Sequence, residues 1–100
     1  MTDPSDTIEI SDNAADSRYE LRIGGELAGL VEYRLTPGRI VLVHTEVLPE
    51  FEGHGVGGRL AKYALDDARA RGLQVVARCP FIAEYIRRHP DYQELLTSRR

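Results

Sequence analysis

Residues 49–61, Pro49-Glu50-Phe51-Glu52-Gly53-His54-Gly55-Val56-Gly57-Gly58-Arg59-Leu60-Ala61, are where the chain changes its period. Upstream, Arg39 to Leu48 reads as a strand. Its Ile40-Val41-Leu42-Val43 segment is apolar on both faces, which belongs at the centre of a sheet covered on both sides. Downstream, Leu60, Ala61, Ala64, Leu65 and Ala68 recur at helical spacing, with Arg59, Lys62, Asp66, Asp67 and Arg69 opposite. A strand, a glycine-rich turn and a helix start together make an anion site. The first helical N–H groups lack partners where the helix dipole is positive, and glycines let an anion approach without a Cβ in the way.

The flanks supply the rest of a sheet. Tyr19, Leu21 and Ile23 alternate with Glu20 and Arg22, and Gly24-Gly25 suits a two-residue hairpin. Leu27 to Leu35 alternates again, with Leu27, Val31, Tyr33 and Leu35 on one face, and Gly29 marks a bulge or a close backbone approach. Thr36-Pro37-Gly38 reads as a type II turn. Beyond the helix, Gly72 fits its C′ position, Leu73 to Arg78 is a fourth strand, and Pro80 to Arg88 is a second helix. Asp91 to Leu96 forms a last turn. The order β-β-β-α-β-α predicts an α+β domain over residues 18–96. An antiparallel meander joins a βαβ unit in one mixed sheet flanked by helices, with residues 39–48 and 73–79 parallel.

At 100 residues the chain has room for one core. A net charge of −3 argues against a nucleic-acid-binding domain, although arginines cluster at 69–71 and 87–88. One cysteine builds no disulfide framework, and no apolar stretch approaches the roughly 20 residues of a membrane span. The N-terminus lacks the pattern of a signal peptide, so the expected compartment is the cytoplasm. Residues 1–17 carry Asp3, Asp6, Glu9, Asp12 and Asp16 and no base. They read as a mobile acidic lead-in, with Ile8 and Ile10 able to add a short edge strand. Residues 97–100 read as a basic tail.

Two familiar phosphate-binding readings of the turn fail. No Lys-Ser or Lys-Thr follows the glycines, as a P-loop requires. Gly53-x-Gly55-x-x-Gly58 matches the dinucleotide fingerprint, but four residues part it from the strand. Arg78 and Cys79 also stand where an acid should end the next strand. Glu52-Gly53-His54-Gly55-Val56-Gly57 instead resembles the pyrophosphate motif of the GNAT acetyltransferase superfamily, with Glu52 in place of its Gln or Arg. The likeness extends to a small single-domain branch through His44-Thr45-Glu46-Val47, Cys79-Pro80-Phe81 and the Tyr85 to Pro90 segment. The chain ends before the last two strands of a full-length GNAT fold.

The resemblance implies acetyl-CoA as co-substrate, its pyrophosphate on the backbone of Gly53, His54, Gly55, Val56, Gly57 and Gly58. It places the pantetheine arm against the backbone near Val47 and Leu48. His44 and Glu46, two apart on one strand, interrupt an apolar segment near its carboxyl end. As a buried polar pair they suggest acceptor chemistry; as structural residues they would be a satisfied imidazole and a carboxylate held by an arginine. Cys79 precedes Pro80 and reads as a helix N-cap, where N–H groups and Arg78 favour a thiolate; the alternative is a buried apolar cysteine. Tyr85 and His89 read as core or groove lining. The expected reaction moves an acetyl group to a primary amine without a metal, by direct attack or through acetyl-Cys79. The rivals are an acyl-CoA-binding or sensing module without turnover and a purely structural interaction domain.

Overall fold

The structure, a computed structural model, describes residues 7–96. Five strands, β1 Ile8–Asn13, β2 Arg18–Ile23, β3 Glu26–Thr36, β4 Arg39–Val47 and β5 Gln74–Ala77, lie in one sheet in chain order. The first four form an antiparallel meander, and β5 runs parallel to β4. Helix α1, Val56–Ala70, and helix α2, Pro80–Arg88, follow β4 and β5, and a 3₁₀ segment, Pro90–Leu96, closes the described chain. Among the described residues no helix is long and apolar enough to cross a membrane.

Turn chemistry fixes the meander. Gly24 and Gly25 both take positive φ in the β2–β3 hairpin, and Gly38 does so after Pro37 in the β3–β4 hairpin. Helix α1 ends as read from Gly72: Leu73 N–H donates to Ala68 O and Gly72 N–H to Arg69 O, the paired bonds of a Schellman motif.

The core lies between α1 and one face of the sheet, where Tyr19, Leu21, Val31, Ile40 and Leu42 meet Leu60 and Leu65 without exposure. Ile82 and Ile86 of α2 join the same cluster. The expectation of cover on both faces of β4 does not hold. Val43 is 37% exposed, and both helices belong to the face that carries Ile40 and Leu42. An apolar run of four does not by itself separate a doubly covered strand from one carrying a β-bulge.

Two bulges set the phase of the sheet. Leu21 pairs with Gly29 but Arg22 with Leu27, so Ala28 is the extra residue and the alternation read from Leu27 breaks there. Glu32 pairs with His44 but Tyr33 with Leu42, so Val43 is extra in β4. A one-residue insertion exchanges the faces of everything beyond it.

The expected mobile lead-in over 1–17 does not hold for its later part, because Ile8–Asn13 pairs along β2. Its acids have distant partners that composition does not reveal. Asp12 accepts from Tyr33 Oη at 2.6 Å and from Arg71 at 2.9 Å, and Arg71 also binds Asp67, which accepts from Tyr19 Oη at 2.7 Å. Burial, aided by these bonds, pushes the Tyr33 phenol up to about 12 and Tyr19 higher still. The readings of residues 1–6 and 97–100 lie outside the described residues.

On the open face, Glu20 is buried to 5% exposure and accepts from Asn13, Arg18 and Arg22. The Asn13 amide first, then the guanidiniums, hold its carboxyl down to about 2. Because the folded value is depressed, the stabilisation is complete above the ordinary 4.5 and is lost as pH falls through about 2. Glu20→Gln should therefore cost about 1–3 kcal/mol at neutral pH by urea unfolding, and the gap to wild type should close as pH falls below that ordinary value.

Gly29 is where α1 meets the sheet. A Cβ there would stand 2.7 Å from Val56 Cγ1 and 2.9 Å from Glu46 O, the latter unable to swing aside. Gly29→Ala should lower stability by about 1–3 kcal/mol in the same measurement.

Candidate functional site

The glycine turn reaches the helix by two left-handed residues. Gly53 has φ +88° and Gly55, the α1 N-cap, φ +73°, values that strain any residue with a Cβ. The first helical bond runs from Arg59 N–H to Gly55 O at 3.1 Å. Among the described residues no acceptor takes a hydrogen bond from the N–H groups of Gly53, His54, Gly55, Val56, Gly57 or Gly58. A run of unpaired N–H groups at the positive end of a fifteen-residue helix is suited to a polyanion. Val56 is buried against Gly29 and Gly57 is buried as well, so the exposed part of the run is Gly53, His54 and Gly55, with Gly58 half-buried.

Gly57 and Gly58 serve packing as well. A Cβ on Gly57 would come within 2.8 Å of the Phe81 ring, and one on Gly58 within 4.0 Å of Tyr85. Small residues in the first turn of α1 thus let the aromatic face of α2 close over it. Tyr85 stacks on His89 with centroids 3.9 Å apart, and His89 Nδ1 lies 2.8 Å from Tyr85 O, which accounts for both residues as lining.

The parallel ladder is short. β4 and β5 pair only from Arg39/Gln74 to Leu42/Ala77, and Arg78 and Cys79 N–H both converge on Leu42 O. Past that point the strands part. Leu48 N–H donates to Ala28 O at 2.9 Å. The antiparallel register therefore assigns the backbone groups of Glu46 and His44 to β3 as well, and turns those of Thr45 and Val47 toward the gap. Leu48, expected to meet the pantetheine arm, thus has its N–H taken by β3, while Val47 and Thr45 keep backbone groups turned away from β3.

The bulge at Val43 moves the proposed catalytic pair. His44 and Glu46 are not buried; their side chains are about half exposed on the open face, with His44 Nε2 3.6 Å from Glu46 Oε1. Thr45 turns inward instead. Cys79 is 4% exposed, belongs to the core cluster, and its Sγ donates to Thr45 Oγ1 at 3.3 Å. It occupies the N-cap of α2 as read, yet its side chain makes no capping hydrogen bond. His44 and Glu46 thus stand on one side of the sheet, and Cys79 and Thr45, bonded to each other, on the other.

A mixed sheet whose parallel pair splits, with a glycine turn and helix crossing from one strand to the other, is the architecture of an N-acetyltransferase domain. The chain belongs to the GCN5-related N-acetyltransferase family, whose sequence model matches residues 18–95. Protein NATD1 of Xenopus tropicalis is 30% identical over 95 residues, 93% of this chain and 87% of that protein. A GCN5-like protein of Staphylococcus aureus has the same fold, with a TM-score of 0.69 at 24% identity over 92% of this chain and 90% of its own. The ribosomal-protein-S18-alanine N-acetyltransferase of Escherichia coli superposes on 58% of this chain with a TM-score of 0.56 at 20% identity. There the match spans 38% of the enzyme's length.

The two packed glycines respond differently to a methyl group. Gly58→Ala should raise stability by up to about 1 kcal/mol through helix propensity. In Gly57→Ala the displaced Phe81 ring should offset that gain, and Phe81→Ala in the same chain should restore it, a coupling that a double-mutant cycle in urea reads directly.

Proposed function

We propose that this chain transfers an acetyl group from acetyl-CoA to a primary amine in the cytoplasm. The observation that carries the reading is the run of unpaired N–H groups from Gly53 to Gly58 beside a gap between parallel strands. In this reading the pyrophosphate sits on that run and the pantetheine arm enters the gap, meeting the backbone of Thr45 and Val47. The thioester then reaches the open face between β4 and β5. Glu46, with His44 beside it, takes a proton from the acceptor ammonium or the attacking amine. The amine nitrogen bonds to the thioester carbon, the carbon–sulfur bond breaks, and the CoA thiolate leaves and is protonated. Cys79 is buried and bonded to Thr45, which favours direct attack over an acetyl-Cys79 intermediate.

Amide shift mapping tests the cofactor half. Acetyl-CoA should perturb residues 53–58 together with Thr45 and Val47, whereas inorganic pyrophosphate should perturb 53–58 alone. Shifts centred elsewhere would move the site. Glu46→Gln should keep acetyl-CoA affinity by calorimetry and lower turnover about a hundredfold, read as release of free CoA with an amine acceptor. Mass spectrometry after incubation with acetyl-CoA alone should find no acetyl group on Cys79. Binding without turnover on any amine would instead support an acyl-CoA sensor.

A further inference from the structure

On the open face, along β4 from His44, lies a depression of about 440 Å³ lined by Arg34, Thr36, Val41, Val43 and Arg78. Its size is within the usual range for small-molecule sites. Val41 and Val43 make an apolar floor along β4. Arg34 stands on β3 opposite Val41, and Arg78 follows β5, so the two guanidiniums flank that floor from either side. Both are exposed, and among the described residues neither lies within ion-pair distance of a carboxylate. The lane continues along β4 past the bulge to His44 and Glu46, with Glu32 opposite His44. One end is therefore an apolar floor flanked by two cations, and the other end is acidic.

Resting on the acetyl-transfer reading, we propose that the acceptor is a small amino carboxylic acid. Its carboxylate lies between Arg34 and Arg78, and its amine lies at Glu46. A carboxylate is matched by paired guanidiniums, an alkyl chain by the valines, and an ammonium by Glu46. A polyamine or a neutral amine leaves the arginines without a counter-charge. Val43 and Glu46 are three residues apart, about 10 Å at the usual rise of strands. The favoured acceptor thus separates amine from carboxylate by several methylenes rather than one.

The test compares glycine, γ-aminobutyrate, ε-aminohexanoate and the uncharged ε-aminohexanamide with acetyl-CoA, following CoA release. Wild type should prefer ε-aminohexanoate over its amide by about tenfold or more in kcat/KM, and over glycine. In folded Arg34→Gln and Arg78→Gln variants, checked by thermal melting, the acid-to-amide ratio should fall toward one. Equal use of acid and amide, or an unchanged ratio in both variants, would overturn the proposal. If acetyl-CoA binds but no amine is turned over, the transfer reading fails by itself. Amide shifts on titrating ε-aminohexanoate into the CoA-bound protein then judge the lane separately. Shifts at Arg34, Val41, Val43 and Arg78 that are lost in the double variant support it, and their absence sinks it.

Discussion

The one extra residue at Val43 is the constraint on which the site depends. Without that bulge, Ile40, Leu42, His44 and Glu46 would share the face packed against α1, and two ionisable groups would lie in the core. With it, Thr45 and Val47 turn inward and His44 and Glu46 turn to the open face. β5 ends at Ala77 opposite Leu42, next to the bulge, so the β4 backbone beyond it has no strand partner on that side. A single insertion accounts for the side of the sheet on which His44 and Glu46 stand.

The glycine turn depends in turn on how α1 is seated. Gly29 lets Val56 and Leu60 press onto β3, and that contact fixes the start of the helix while its N–H groups remain unpaired. Unpaired donors persist where water or a ligand can satisfy them, and the exposure of residues 52–55 provides that. The aromatic face of α2 closes the other side through Phe81 and Tyr85. The turn is therefore held by apolar contacts on either side and has no side-chain cap at Gly55.

Much of the fold was legible because turns and helices carry local signals. Gly24-Gly25, Pro37-Gly38 and Gly72 have the conformations their chemistry suggested, and Pro80–Arg88 has the bounds read for it. Cys79 was placed at its N-cap, but whether its sulfur faced a ligand or the core depended on Thr45, thirty-four residues away. Gly29 marked both the bulge beside it and the close approach of α1, but the bulge at Val43 was not legible, since an extra residue in an apolar run leaves no mark on composition. The lead-in is legible in part: Ile8 and Ile10 mark the edge strand, but its acids do not show their partners. Asp12 looks like one more solvated acid until Arg71 and Tyr33 are brought to it. The glycine turn, by contrast, was a local feature and needed no distant partner to be seen.

Strand order in the sheet equals strand order in the chain, and this bears on how the molecule assembles. Each hairpin of the meander closes a short loop, so four strands can pair at small entropic cost, before any segment distant in sequence arrives. The β4–α1–β5 crossover, the packing of α1 on β2 and β3, and the bonds of Asp12, Tyr19, Thr45 and Asp66 to distant partners join residues widely separated in sequence. Pairing of chain neighbours keeps the meander local, whereas the parallel β4–β5 pair and the seat of α1 must wait for the crossover. The gap between β4 and β5 lies at the crossover, which on this view is the last part of the sheet to be completed.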